Sequence, residues 1–157
     1  VIKKIFGIRK IFYIPILIAL LFGYSAAAIS EDIEVKHVYK IFPAFIVYTD
    51  NLDPRFTGLT HSMVVFIDKE MRNDTRVLTH ELVHVRQGYR TLFMYSFLIP
   101  FDDTILVKME CEAYATEIKS KYTIPWFVMF IQDEYKTSMT AQEIHDYILF
   151  CWERQHS

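Results

Sequence analysis

"VLTHELVHVRQ", Val77 to Gln87, sets two histidines four residues apart, with a glutamate directly after the first, inside a run of aliphatic residues. At 3.6 residues per turn, positions i and i+4 share one helix face, so the rings of His80 and His84 can converge on a single ion. Neutral imidazole is a preferred zinc ligand, and a catalytic zinc site keeps three protein ligands with water in the fourth position. Glu81 is turned about 100° from His80, which keeps its carboxylate out of the ligand set but near that water. The spacing suits Glu81 as general base, taking a proton from the water and later handing it to a leaving amine. The competing reading is an ordinary amphipathic helix carrying two partly exposed histidines and one more solvated glutamate.

A third ligand has to come from a later helix. "MECEAYATE", Met109 to Glu117, offers Glu110, Glu112 and Glu117. Three acids so close together commonly form a solvated face, but the neighbouring Met109 and Ala113 are apolar, which sets at least one carboxylate at the border of the buried side. Cys111 lies about 100° round such a helix from Glu110 and reads as packing.

With these two stretches the sequence resembles the HExxH zinc metallopeptidases of the gluzincin type, especially small single-domain members. Val77, Leu78, Thr79, Leu82, Val83 and Val85 meet the pattern of that family's metal helix, and Arg86 departs from the hydrophobic residue expected next. "ECEAY" fits the segment that opens with the third ligand. The resemblance therefore implies a single Zn2+ held by His80, His84 and Glu110, with Glu112 as the alternative third ligand. Tyr114 stands where an Asp or Asn would orient a ligating histidine. The metzincin extension fails at Gln87 and Arg90, and no cysteine precedes His80 to supply the ligand of a peptide deformylase. The resemblance also implies that "SMVVFID", Ser62 to Asp68, receives an extended substrate at a sheet edge; by its residues alone it is equally a core strand. For the donor that would face an oxyanion the sequence offers Arg86, Tyr89, Tyr114 and His145. His37, His61 and His156 have no companion at ligand spacing.

Around the motif the chain reads as α+β: a helix-rich zincin-like domain with a small N-terminal sheet, preceded by an apolar N-terminal helix. "YKIFPAFIVYT", Tyr39 to Thr49, is β-branched and aromatic, with Pro43 pointing to an edge or a break, and Ser62 to Asp68 forms a second strand. Asn73 or Asp74 caps the motif helix, which stops near Gly88 at a C′ position. Thr91 to Phe101 is apolar throughout and reads as buried. Further helices run from Asp102, Asp103 or Thr104 to about Tyr122, over Ile124 to Tyr135 with Pro125 in the first turn, and from Ala141 to about Arg154 behind a Thr140–Glu143 capping box.

A chain of 157 residues with 52% hydrophobic content makes one compact domain once residues 1–30 are set aside, giving 1–30 as signal peptide or signal anchor and 31–157 as the globular unit. Lys3, Lys4, Arg9 and Lys10 precede twenty uncharged residues, Ile11 to Ser30, and Glu31, Asp32 and Glu34 follow. That charge order favours a cytoplasmic N-terminus and an extracytoplasmic domain, membrane-anchored or exported after cleavage near Ala26 to Ala28. A buried core helix is the alternative for the same stretch. A net charge of −2, four glycines and two cysteines give no basic patch for nucleic acid, no phosphate cradle and no disulfide framework.

The first functional expectation is thus a zinc-dependent peptidase acting on a peptide or protein substrate. The second is a non-catalytic membrane-tethered zinc or partner-binding module, with the same helix in a closed structural site completed by Glu112 or His61. The third is a structural envelope protein resting Leu92 to Phe101 and Trp126 to Ile131 on a bilayer.

Overall fold

In the computed structural model, residues 32–157 are described; the expected apolar N-terminal helix and the 1–30 boundary lie outside them. Four strands and five helices follow in order: β1 (Ile33–Val38), β2 (Phe42–Thr49), β3 (Gly58–His61), β4 (Val64–Asp68), α1 (Thr75–Arg90), a four-residue α2 (Tyr95–Leu98), α3 (Asp103–Ala115), α4 (Ile124–Tyr135) and α5 (Ala141–His156). The α+β reading with a small N-terminal sheet therefore holds. Among the described residues, no helix is long and apolar enough to cross a membrane.

The sheet has the order β1-β2-β4-β3. β1 and β2 form an antiparallel hairpin, turned by Tyr39 and Lys40 at φ 51° and 65°, the left-handed pair that tight hairpins use to keep the native twist. β2 then runs parallel to β4, while β3 closes the far side antiparallel to β4. Two expectations change here. Pro43 lies in an inner strand, tolerated because β2 pairs with β4 only from Phe45 onward, so Pro43 has no ladder bond to lose on that side. Ser62 to Asp68 supplies β4, also an inner strand, so it is not the edge; β3 is. The short β1 and β3 were not expected, since charges interrupt the first and turn formers surround the second.

α1 decides the architecture. Asp74 caps it through the Arg76 N–H. Leu78, Leu82, Val85 and Tyr89, at helical spacing, pack on the sheet residues Val38, Ala44, Ile46, Tyr48, Val65 and Ile67. The opposite stripe, His80, His84 and Gln87, is buried as well and faces the helical layer. That layer has its own apolar core, with Val107 and Cys111 from α3, Val128 and Ile131 from α4, and Ile144 and Ile148 from α5. A polar seam therefore separates two hydrophobic clusters.

The helix ends depart from expectation in three places. α1 continues through Gly88 to Arg90, so Gly88 is not a C′ residue; a Cβ there would meet Phe93 Cε1 at 2.5 Å, which explains the glycine as close approach. α3 ends at Ala115, not near Tyr122. The Thr91 to Phe101 stretch buries Phe93 but leaves Leu92, Met94, Leu98 and Phe101 exposed, because left-handed Leu92 and Phe93 (φ 52° and 59°) turn the chain outward. α4 and the Thr140–Glu143 capping box of α5 are as read. Arg86 is exposed on the solvent side of α1, so nothing there demands an apolar residue.

Alanine at Gly88 would gain about 1 kcal/mol of helix propensity and lose about 1–3 kcal/mol to overpacking against Phe93. We expect Gly88→Ala to lower the urea midpoint; a raised midpoint would show that the Phe93 ring yields freely.

Candidate metal centre

His80 and His84 project from successive turns of α1 and meet Glu110, which α3 presents across the seam. These three buried residues form the group able to hold a metal ion, and among the described residues no fourth His, Cys, Asp or Glu joins it. Metal bonds of about 2.0–2.1 Å in tetrahedral geometry set neighbouring ligand atoms about 3.3–3.4 Å apart. The observed separations are 3.3 Å between the two histidine Nε2 atoms, 3.4 Å from His80 Nε2 to Glu110 Oε2, and 3.5 Å from His84 Nε2 to Glu110 Oε1. The donor set fits one divalent ion. His80, Glu81, His84 and Glu110 are all buried, at 7–9% exposure.

Both tautomers follow from the far side of each ring. Gln87 donates its amide N–H groups to the Met109 carbonyl and to Glu112 Oε2, at 3.0 Å each, which leaves its Oε1 as acceptor for His84 Nδ1 at 2.9 Å. His84 Nδ1 therefore carries a hydrogen, and Nε2 is the ring atom that faces the centre. His80 Nδ1 likewise faces a carboxylate, Glu117 Oε1, at 2.8 Å. A ligating histidine is ordinarily held by such an outer partner.

The orienting residues were not those expected. Tyr114 lies edge-on to His80, ring centroids 4.5 Å apart, and it is Glu117, one residue past the C-cap of α3, that holds the imidazole. Glu112, the alternative ligand, turns away and binds the Arg90 guanidinium at 3.0 and 2.8 Å, so it supports Gln87 and does not line the centre. His61 lies on β3 outside the group. Gln87 sits three residues after His84, on the ligand face, and Glu117 seven after Glu110; helical spacing was the available signal for both.

Glu81 is placed by the edge strand. The Thr60 hydroxyl donates to its Oε2 at 2.6 Å, and a Cβ on Gly58 would stand 2.7 Å from its Oε1, so the carboxylate occupies space that only glycine leaves. Burial raises its pKa, against the pull of His84, Thr60 and His80. Tyr135, at the end of α4, is half-buried near Glu110 and Tyr114; burial and then the Glu110 charge raise its phenol pKa. Of the expected oxyanion donors, Tyr114 alone touches the centre: Tyr89 donates to the Pro43 carbonyl, His145 faces Asp146 and Arg86 is exposed. Cys111 and Cys151 are buried free thiols, pushed up to about 12 and about 11 by burial, and stay outside the site.

Charge is balanced inside the centre. Burial would lower the His80 pKa, but Glu110 and Glu117 outweigh it and raise it to about 9; burial would raise Glu110, but His80 and His84 hold it at about 2.

Gln87→Leu and Glu117→Gln should each weaken zinc binding about 10- to 100-fold in competition titrations against a chelator, with the fold intact by circular dichroism. An entering ion must displace the His80 proton, so affinity should climb with pH and level off near 9. A flat profile between pH 6 and 9 would contradict the charge assignment.

Set against known proteins, the chain matches no family model, no curated protein and no solved structure, and the reading of this centre rests on its own geometry.

Proposed function

We propose that this chain is a zinc-dependent peptidase of the gluzincin-like HExxH type, in a zincin-like domain. The observation that carries the reading is the convergence of the two Nε2 atoms and the Glu110 carboxylate at ligand spacing, with Glu81 buried beside them and belonging to no part of the ligand set. His80, His84 and Glu110 would hold the ion. When bound, zinc supplies Lewis-acid polarisation of a carbonyl and brings the pKa of water down to about 7.

The remaining work falls to the protein's own groups. Glu81 accepts the proton of the attacking water and returns it to the leaving amine; burial raises its pKa, which makes it a stronger base than a solvated carboxylate. Thr60 keeps the carboxylate oriented between transfers. β3 is one of the two edge strands, and its residue Thr60 touches Glu81, so an extended peptide added along that edge would pass beside the base. A closed structural site would need a fourth protein ligand, and Glu112 is committed to Arg90. The basic stretch before Ile11 to Ser30 supports a membrane-tethered or exported enzyme with this domain on the extracytoplasmic side.

Glu81→Gln should purify with one zinc and lose about 10²- to 10⁴-fold in peptide hydrolysis; cleavage of a peptide library at the parent rate would end the base assignment. Gly58→Ala should keep the zinc and lose most of the activity, because its methyl displaces Glu81. Chelation should abolish hydrolysis and added zinc restore it.

A further inference from the structure

α4 is amphipathic in an unusual way. Ile124, Val128 and Ile131 face the helical core, while the opposite face shows Trp126, Met129 and Phe130 at 62%, 66% and 37% exposure. Trp126 and Phe130 stack in near-parallel planes, 11° apart, at 5.8 Å. Apolar side chains grouped on an exposed face mark a surface that meets something.

Their connection to the metal centre says what. Phe130 packs edge-on against Tyr114 at 5.6 Å, and Tyr114 against the His80 ring at 4.5 Å, so one unbroken ladder of rings leads from the ligand to the exposed Trp126. An extended peptide advances ~3.3–3.6 Å per residue, so Phe130 lies within about three residues of a peptide bond held at the ligands and Trp126 within about five.

We propose that Tyr114, Phe130 and Trp126 form a specificity shelf, which takes an apolar, preferably aromatic, side chain of an extended peptide a few residues from the bond at the metal centre. The assignment rests on the peptidase reading and names its substrate class. Flat rings stacked as a platform suit another ring, which adds offset or edge contacts to the area it buries. Continuity with His80 favours a substrate over a lipid surface or a second copy of the chain, either of which would require no link to the site.

The test separates binding from turnover. Peptides carrying Phe or Ala at positions two to five from a central bond are titrated into the zinc-loaded Glu81→Gln chain, alone and with Trp126→Ala or Phe130→Ala, by calorimetry. The parent chain is assayed for hydrolysis of the same set. We expect Phe peptides to bind about tenfold or more tighter than Ala peptides, and each shelf variant to erase that gap while zinc content, circular dichroism and Ala-peptide affinity stay unchanged. Equal affinities in the unsubstituted shelf, or a gap that survives both substitutions, overturn the proposal. So does loss of sedimentation with phosphatidylglycerol vesicles, or of self-association, in variants that keep the peptide preference. Hydrolysis without discrimination leaves the peptidase standing and removes the shelf; shelf-dependent binding without hydrolysis does the reverse.

Discussion

Everything in this fold depends on one helix buried along two opposite faces. Toward the sheet α1 offers Leu78, Leu82, Val85 and Tyr89, and that face is ordinary hydrophobic packing. Toward α3 it offers His80, His84 and Gln87, which would be costly to bury alone. Glu110, Glu117 and Glu112 answer them, and no buried side-chain nitrogen or oxygen among the described residues lacks a partner. The burial that makes these groups expensive is also what holds them at ligand spacing.

Placing such a seam between two apolar clusters has a mechanical consequence. The sheet and α1 form one packed body, and α3, α4 and α5 another. The group able to hold a metal ion is drawn from both: two histidines from the first, one carboxylate from the second. An ion bound there ties the halves together, so metal binding and the docking of the helical layer are coupled by construction. The outer partners divide the same way, with Gln87 on α1 bonding the Met109 carbonyl of α3. Glu81, by contrast, is fixed by β3 through Thr60 and Gly58. His80, His84 and Glu81 thus share α1, while α3 supplies Glu110 and β3 orients the Glu81 carboxylate.

The two left-handed residues after α1 shape the surface. Leu92 and Phe93 reverse the chain with positive φ, returning the Phe93 ring onto Gly88 and sending Leu92, Met94 and Phe101 outward. Composition alone reads this stretch as core, because hydropathy records how apolar a residue is and not which way the backbone turns it.

Local chemistry was legible from the sequence wherever it depended on neighbours within a turn or two. The i, i+4 pair of histidines, the adjacent glutamate, the Asp74 cap, Pro125 in the first turn of α4 and the Thr140–Glu143 box all act over distances set by helix geometry. Glu110 was legible as a ligand only through resemblance, since its spacing equally allowed Glu112. The tertiary structure decided what depends on the approach of distant segments: that Glu112 belongs to Arg90 and Gln87, that Glu117 holds His80, and that the strand beside Glu81 is β3 and not β4. The physical reason is direct. A helix fixes the positions of its own side chains through its backbone hydrogen bonds, whereas which carboxylate crosses a seam is settled by how two independently packed layers fit together.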